Sequence, residues 1–321
     1  MNTPVLIVAY SRYENVLKLI NDLKNQGVEK IYLAIDGQKD HNSIIQSQLE
    51  IAARDLAVKI DLEIRIWKRD VNLGPAVSVI TAIDWFFENV SAGIILEDDL
   101  LLSSDAVQYF QALLASFSNV EEVFMVSGSN FFEDETSKLG MHATRYPVIW
   151  GWATWANRWR DYRSAMDSLH SVNIPGSMTE RWFWQIGTRR CLNGIKDAWD
   201  IPLASYQLSA GRVTVLPPVN LISNRGADDF AGNTYIDEWP LNIPVRTLNS
   251  SLLHSESLES DDFVNLSSNP VDVLFKRRIY NIRAVTTLPS LISKFLDLFR
   301  YPITSRSQSL LKRIGEVKIP I

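Results

Sequence analysis

The first hundred residues alternate between two hydrophobic periods, and this alternation narrows the chain to one architecture. PVLIVAY (4–10), KIYLAIDG (30–37), IDLEIRIWK (60–68) and AGIILEDD (92–99) are apolar runs of strand length. Between them lie ENVLKLINDLKNQG (14–27), SIIQSQLEIAARDLA (43–57) and NLGPAVSVITAIDWFFENV (72–90), which have helical length and spacing. In the first helix Val16, Leu17, Ile20 and Leu23 share a face and Gly27 is placed as its C-cap; Gly74 and Pro75 open the third. The third strand alternates Ile60, Leu62, Ile64 and Ile66 with polar residues, which places it near an edge. Strand, helix, strand repeated in this way predicts an α/β chain with a mostly parallel central sheet and helices on both faces.

In such sheets ligands bind beyond the carboxyl ends of the strands. The residues at those ends are Ser11-Arg12, Asp36-Gly37, Asp70 with Asn72, and Glu97-Asp98-Asp99. Three adjacent carboxylates repel one another, and their pKa values rise unless a cation intervenes. Mg²⁺ or Mn²⁺ prefers carboxylate oxygen and completes its shell with substrate phosphates. The simpler alternative is an N-cap cluster for the helix expected near Ser103, although one residue normally suffices for a cap. No GxGxxG or GxxxxGK[ST] run is present, so neither a dinucleotide fingerprint nor a P-loop is supported. One Cys and four His without paired spacing argue against a disulfide and a structural zinc site.

The second half continues with SSDAVQYFQALLASF (103–117) as a helix, EEVFMVSGSN (121–130) as a strand and turn, and the aromatic run VIWGWATWANRWRDY (148–162). WFWQ (182–185) and DAWDIPLASYQLSAG (197–211) read as helical, and VTVLPPVNLISNRGADDF (213–230) as a strand, a turn and a polar loop. Trp152, Trp155 and Trp159 stand at i, i+3 and i+7, the spacing of a buried helix face; the competing reading is a wall on which sugar rings stack. The expected division is a domain over 1–245, with a nucleotide-sugar half (1–105) and an acceptor half (106–245), followed by an extension over 246–321. From Phe275 onward ten Lys and Arg face only Asp297 and Glu316, and Leu291, Ile292, Phe295, Leu296 and Phe299 have helical spacing. This predicts a basic amphipathic helix over 277–303, suited to an anionic membrane surface or to packing on the domain. The N-terminal MNTPVLIVAYSR has no basic region ahead of a long apolar stretch, and no run of 18 apolar residues occurs. The expectation is a cytoplasmic protein, peripheral at the inner face of the plasma membrane if the tail binds lipid.

IILEDDLLLSSDAVQYF (94–110) resembles the DxD-type segment of the GT-A glycosyltransferases, whose fold is Rossmann-like, and is most similar to that of N-acetylglucosaminyltransferase I and its bacterial relatives. PVLIVAYSR (4–12), LAIDGQKD (33–40), VFMVSGSNFF (123–132), WGWATWANRW (150–159) and AWDIPLASYQLSAGRVTVLPPVNLISNRG (198–226) resemble further pieces of that family, in order, over roughly 1–235. The resemblance implies that Arg12 and Asp36 touch the nucleotide, that Glu97 and Asp98 hold the sugar and ribose, and that Asp99 binds Mn²⁺ or Mg²⁺. It implies that Asn224, Arg225 and Gly226 lie near the leaving diphosphate, and that Asp200 is the general base. Apart from the resemblance, the sugar-stacking reading of the aromatic run places Trp150 and Trp152 against the acceptor. The expected partners are a nucleotide-sugar donor, a UDP-sugar above all, and a glycan or lipid-linked acceptor; nucleic acid is not among them. The expected activity is an inverting hexosyl or N-acetylhexosaminyl transfer in bacterial surface polysaccharide synthesis. The chain departs from the family in lacking its His after the Asn-Arg-Gly loop, where Ala231-Gly232-Asn233 stand, and beyond about 240 it matches nothing in the family. Two other readings share the sheet: a sugar nucleotidyltransferase, disfavoured by AYSRYEN where a Gly-rich phosphate loop would stand, and an inactive glycan-binding protein, disfavoured by Asp99 and Asp200.

Overall fold

The computed structural model describes residues 3–39, 44–136, 140–226, 240–248, 270–280 and 310–320. In the first part β1 (Val5–Ala9), α1 (Tyr13–Asn25), β2 (Lys30–Ile35), α2 (Ile45–Lys59), β3 (Glu63–Lys68), α3 (Pro75–Asn89) and β4 (Ala92–Glu97) follow in the predicted order. A helix of 13 residues such as α1 is marginal by itself in water. It holds because Val16, Leu19, Ile20 and Leu23 are buried, which stabilises it by on the order of 6–12 kcal/mol before entropy is counted. Gly27, at φ 83°, takes the left-handed turn that ends it.

Strands β3, β2, β1 and β4 pair in parallel. Beyond β4 the sheet runs through β8 (Trp152–Trp155), β6 (Val123–Ser127), β9 (Val213–Leu216) and β7 (His142–Thr144). Here β8 is antiparallel to both neighbours, β6 and β9 are parallel, and β7 closes the edge antiparallel. β5 (Leu100–Leu102) and β10 (Ile222–Asn224) form a separate antiparallel pair. Alternate residues of β1 feed opposite cores. Val5 and Ile7 pack with α1, α2 and α4 (Ala106–Ser116), whereas Leu6 and Val8 pack with α3 and, beyond the short α5 (Glu133–Thr136), with α6 (Ala156–Ala165) and α8 (Asp200–Ser209). The chain is therefore α/β, with a mostly parallel, Rossmann-like sheet covered on both faces.

Several sequence expectations shift. β3 begins at Glu63, not Ile60, because α2 runs to Lys59 and Asp61 turns the chain at φ 53°. Trp152 and Trp155 lie on strand β8, not on a helix. Three residues apart on a strand they point to opposite faces, and each is buried in a different core. Of the predicted basic helix over 277–303, residues 281–303 lie outside the described residues. The described parts of the extension pack on the body: Leu310 and Ile314 of the helix Leu310–Gly315 join the core around α3, and Val271 and Phe275 join a third core with Tyr146 and Trp184. Lys276 and Arg278, counted in sequence as membrane-seeking charge, pair with Glu180 and Glu135, each at 2.8 Å. Among the described residues no helix is long and apolar enough to cross a membrane.

Candidate active site

The topology itself marks a crevice. From β1 the chain steps outward to β2 and β3, then α3 carries it back across to β4 on the other side of β1. The carboxyl ends of β1 and β4 thus form the switch point where the sheet can admit a ligand. Arg12 follows β1, and Glu97, Asp98 and Asp99 follow β4. The structure ties them together. Asp98 accepts the Tyr10 backbone N–H at 2.9 Å on Oδ2 and the Arg12 guanidinium at 3.0 Å on Oδ1. Arg12 also pairs with Asp99 at 3.4 Å and donates to the Gly226 carbonyl at 3.5 Å. One guanidinium against three carboxylates leaves the cluster net negative.

The β5–β10 ladder supplies the second wall. Asn224 pairs with Leu100, the Arg225 N–H donates to the Asp99 carbonyl at 2.9 Å, and the Gly226 N–H donates to the Asn224 side chain at 2.7 Å. The loop then lies so close that a Cβ on Gly226 would strike Asp99 Oδ2 and stand 2.9 Å from Asn224 Oδ1. Asn224, Arg225 and Gly226, expected from sequence near a leaving diphosphate, are therefore brought against Asp99. β5, an apolar run unassigned from sequence, performs that placement.

Glu97 is half-buried, and its pKa is pushed up to about 8, first by burial and then by the neighbouring charges of Asp99, Asp98 and Asp200; Arg12 opposes them. Asp200, 103 positions along the chain, is thus brought electrostatically near the acidic turn. It opens α8 beside Trp199, which stacks on Trp152 at 6.1 Å. Burial raises the Asp200 pKa, while Lys196 and the backbone N–H groups of Asp200 and Ile201 pull it down.

Asp36 lies one strand away, 5% exposed. Its carboxylate accepts the Leu73 N–H and the Asn72 side chain, both at 3.1 Å, and Asn72 also donates to the Gly37 carbonyl at 2.9 Å. Asp36 therefore fixes the loop leading into α3, and burial raises its pKa against the pull of Leu73 and Arg69. Asn72 was noted in sequence only as a polar strand end; its role as the bridge from Asp36 to Gly37 emerges from the fold.

The two tryptophans expected to line the acceptor separate. Trp152 is 1% exposed, wedged between Trp159 and Trp199. It has no open face for a sugar, and that assignment is corrected to core. Trp150 is half-buried, held by its carbonyl to Ser129 at 2.7 Å and set edge-on to Phe131 at 4.7 Å. Among the described residues no group of three His, Cys, Asp or Glu side chains forms a ready-made metal cage. One carboxylate at a crevice mouth fits instead a cation that keeps its waters and takes phosphate oxygens from a ligand. A cavity of about 510 Å³ lies to one side, between Trp67–Leu73 and Arg313–Lys318, away from the acidic turn.

No protein-family model matches the chain, and no curated protein matches it in sequence. Solved structures match part of the chain. HddC from Yersinia pseudotuberculosis is 12% identical at TM-score 0.31, over 50% of this chain and 80% of that one. UDP-glucose pyrophosphorylase in complex with UDP-glucose is 9% identical at TM-score 0.37, over 68% and 90%. A putative glucose-1-phosphate thymidylyltransferase from Bacillus anthracis is 13% identical at TM-score 0.31, over 52% and 75%. At these values none of the three says what this chain binds or does.

Proposed function

We propose that this chain is a glycosyltransferase that moves a sugar from a nucleotide-sugar donor, of the UDP class, to a hydroxyl of a glycan or lipid-linked acceptor, inverting the anomeric carbon. The observation that carries the reading is the meeting of Asp99 with the Asn224–Gly226 backbone at the switch point, near enough to Asp200 for its charge to act on Glu97. An acidic turn and a backbone loop facing each other suit a diphosphate that arrives with its own counter-ion.

In this reading Asp99 holds Mn²⁺ or Mg²⁺, which when bound offsets the charge of the diphosphate as it leaves. Arg12, now paired with Asp98 and Asp99, turns toward the nucleotide once the carboxylates are neutralised. Glu97 and Asp98 orient the sugar and ribose, and Asn224 and Arg225 lie along the diphosphate. Asp36 holds the Asn72–Leu73 loop as the wall for the base. Asp200 accepts the proton of the acceptor hydroxyl; that oxygen bonds to the anomeric carbon while the carbon–oxygen bond to the diphosphate breaks. Burial lifts the Asp200 pKa toward the working pH, as a general base requires. Trp150 offers a ring to the acceptor.

Asp200→Asn tests the assignment. Transfer should fall about 10²–10⁴-fold while UDP affinity in Mn²⁺ stays at the wild-type value. Undiminished transfer would remove Asp200 from the chemistry and shift the base to Asp228, Asp229 or Asp237, which lie outside the described residues. Incubation with UTP and a sugar 1-phosphate, scored for pyrophosphate, tests the nucleotidyltransferase alternative.

A further inference from the structure

The segment Pro270–Tyr280 belongs in sequence to the extension, yet it is seated by two buried carboxylates of opposite origin. Asp272, 1% exposed, comes from the segment; it accepts the Thr144 hydroxyl at 2.7 Å, the Arg145 N–H at 3.1 Å and Arg145 Nε at 2.7 Å. Glu180, also 1% exposed, comes from α7 (Met178–Leu192); it accepts the Tyr146 hydroxyl and pairs with Lys276 of the segment at 2.8 Å and Arg145 at 3.7 Å. Two carboxylates against Arg145 and Lys276 balance, and each side supplies one charge of each sign. Such a match fixes one seat for the segment and therefore one place for the residue at its end, Tyr280.

That place is beside α7 and the start of α8, where the charge of Asp200 bears on the Tyr280 hydroxyl. The Tyr280 ring stands edge-on to Trp184 at 4.6 Å and lies 6.2 Å from Phe183. α7 in turn packs on the start of α8: Thr188 bonds Ser205 at 2.6 Å, and Ile201, next to Asp200, packs in the same core as Tyr280. From Tyr280 the aromatics continue through Phe275 at 6.4 Å and Phe131 at 6.1 Å to Trp150 at 4.7 Å. Phe275 and Trp184 are the buried floor of this row, whereas Tyr280, Phe183, Phe131 and Trp150 are half-buried along its rim. Half-buried rings in a row whose end, Tyr280, lies within reach of the Asp200 charge match a sugar, whose ring has an apolar face and whose edge carries hydroxyls.

We propose that Tyr280, delivered by the Asp272–Lys276 seat, forms with Phe183, Phe131 and Trp150 a platform that binds the sugar ring of a carbohydrate acceptor and sets it against Asp200. The proposal deepens the transferase reading and rests on it for the meaning of Asp200, not for the binding of a sugar. Tyr280 is a binding and positioning residue: its ring holds the acceptor, and Asp200 takes the proton.

Saturation-transfer NMR of the full chain with methyl glycosides of glucose, galactose, mannose and N-acetylglucosamine is the test, with UDP and Mn²⁺ titrated separately. At least one glycoside should receive saturation on its ring protons. Tyr280→Phe, which keeps the ring, should hold its affinity within about twofold, and Tyr280→Leu, which keeps apolar volume but no aromatic face, should weaken it about tenfold. UDP affinity should be unaltered in both, and unchanged melting of Tyr280→Leu confirms that it folds. No glycoside binding to wild type, equal binding by Tyr280→Leu, or saturation of 1-octanol in place of the glycosides would overturn the platform. Glycoside binding as expected with no response to UDP and Mn²⁺ would instead remove the transferase reading and leave the platform standing.

Discussion

Asp272→Ala probes the seat of the C-terminal segment. The substitution removes one carboxylate that accepts from Thr144 Oγ1, the Arg145 N–H and Arg145 Nε. Breaking a buried ion pair by deleting one partner costs about 3–5 kcal/mol, because the other charge stays behind without its match. Arg145 keeps Glu180 at 3.7 Å and its side chain is 14% exposed, so the lower end applies and we expect a loss of about 3 kcal/mol. For a chain of this size that corresponds to a fall of about 5 °C in Tm. Asp272→Asn keeps the shape and one acceptor oxygen, and should lose roughly half as much. Urea unfolding followed by tryptophan fluorescence reads the change, and proteolysis should cut first at the C-terminal side of 270. Because Glu180 shares Arg145, combining Asp272→Ala with Glu180→Gln should give a loss that departs from the sum by about 1 kcal/mol or more. A loss below about 1 kcal/mol for Asp272→Ala, with unchanged proteolysis, would mean that the segment is held by its apolar contacts alone and that the charges do not set its seat.

Three further outcomes follow from the site. The folded-state pKa of Glu97 is pushed up to about 8 against an ordinary 4.5, so the folded chain binds more protons in that window and cation-free stability falls as pH rises through it; Glu97→Gln should remove that part of the slope in urea titrations from about pH 5 to about pH 8.5 with EDTA, and an unaltered slope would contradict the burial of Glu97 among neighbouring charges. Gly226→Ala places a methyl group against Asp99 and Asn224 and should weaken UDP binding in Mn²⁺ about tenfold in calorimetry; wild-type affinity would show that the loop does not need to lie against Asp99. Asp36→Ala leaves the Leu73 N–H without its acceptor and the Asn72 amide with only the Gly37 carbonyl, which should cost about 2 kcal/mol in urea unfolding and lower UDP affinity; loss of stability with unaltered affinity would confine Asp36 to holding the loop.

How much was legible in the sequence follows from where the information resides. β1 to β4 and the helices between them were readable because each carries its own period over enough residues, and the sheet's right-handed crossovers leave few ways to arrange such units. The acidic turn was readable as a strand end because three charges in a row close the apolar run of β4. β5 and β10 were not, since each has three residues and exists only because the other pairs with it across the chain. For Trp152 the i, i+3, i+7 relation to Trp155 and Trp159 points to burial, correctly, but on a helix face, and the competing acceptor wall falls only once β8 is known to be a central strand between β4 and β6. The Asp272–Arg145 pair spans 127 residues, and no local pattern marks it; the basic run Lys276–Arg278 suggested a lipid surface because its partners, Glu180 and Glu135, lie in other elements.

The central claim, a divalent cation and a nucleoside diphosphate meeting at Asp99, is tested most directly by calorimetric titration of UDP into wild type and Asp99→Asn, each in Mn²⁺ and in EDTA. The account predicts micromolar binding by wild type in Mn²⁺, an affinity lower by about tenfold or more in EDTA, and the same weak affinity for Asp99→Asn in either condition. UDP affinity that is the same in all four titrations, or that fails to appear in any, would contradict it.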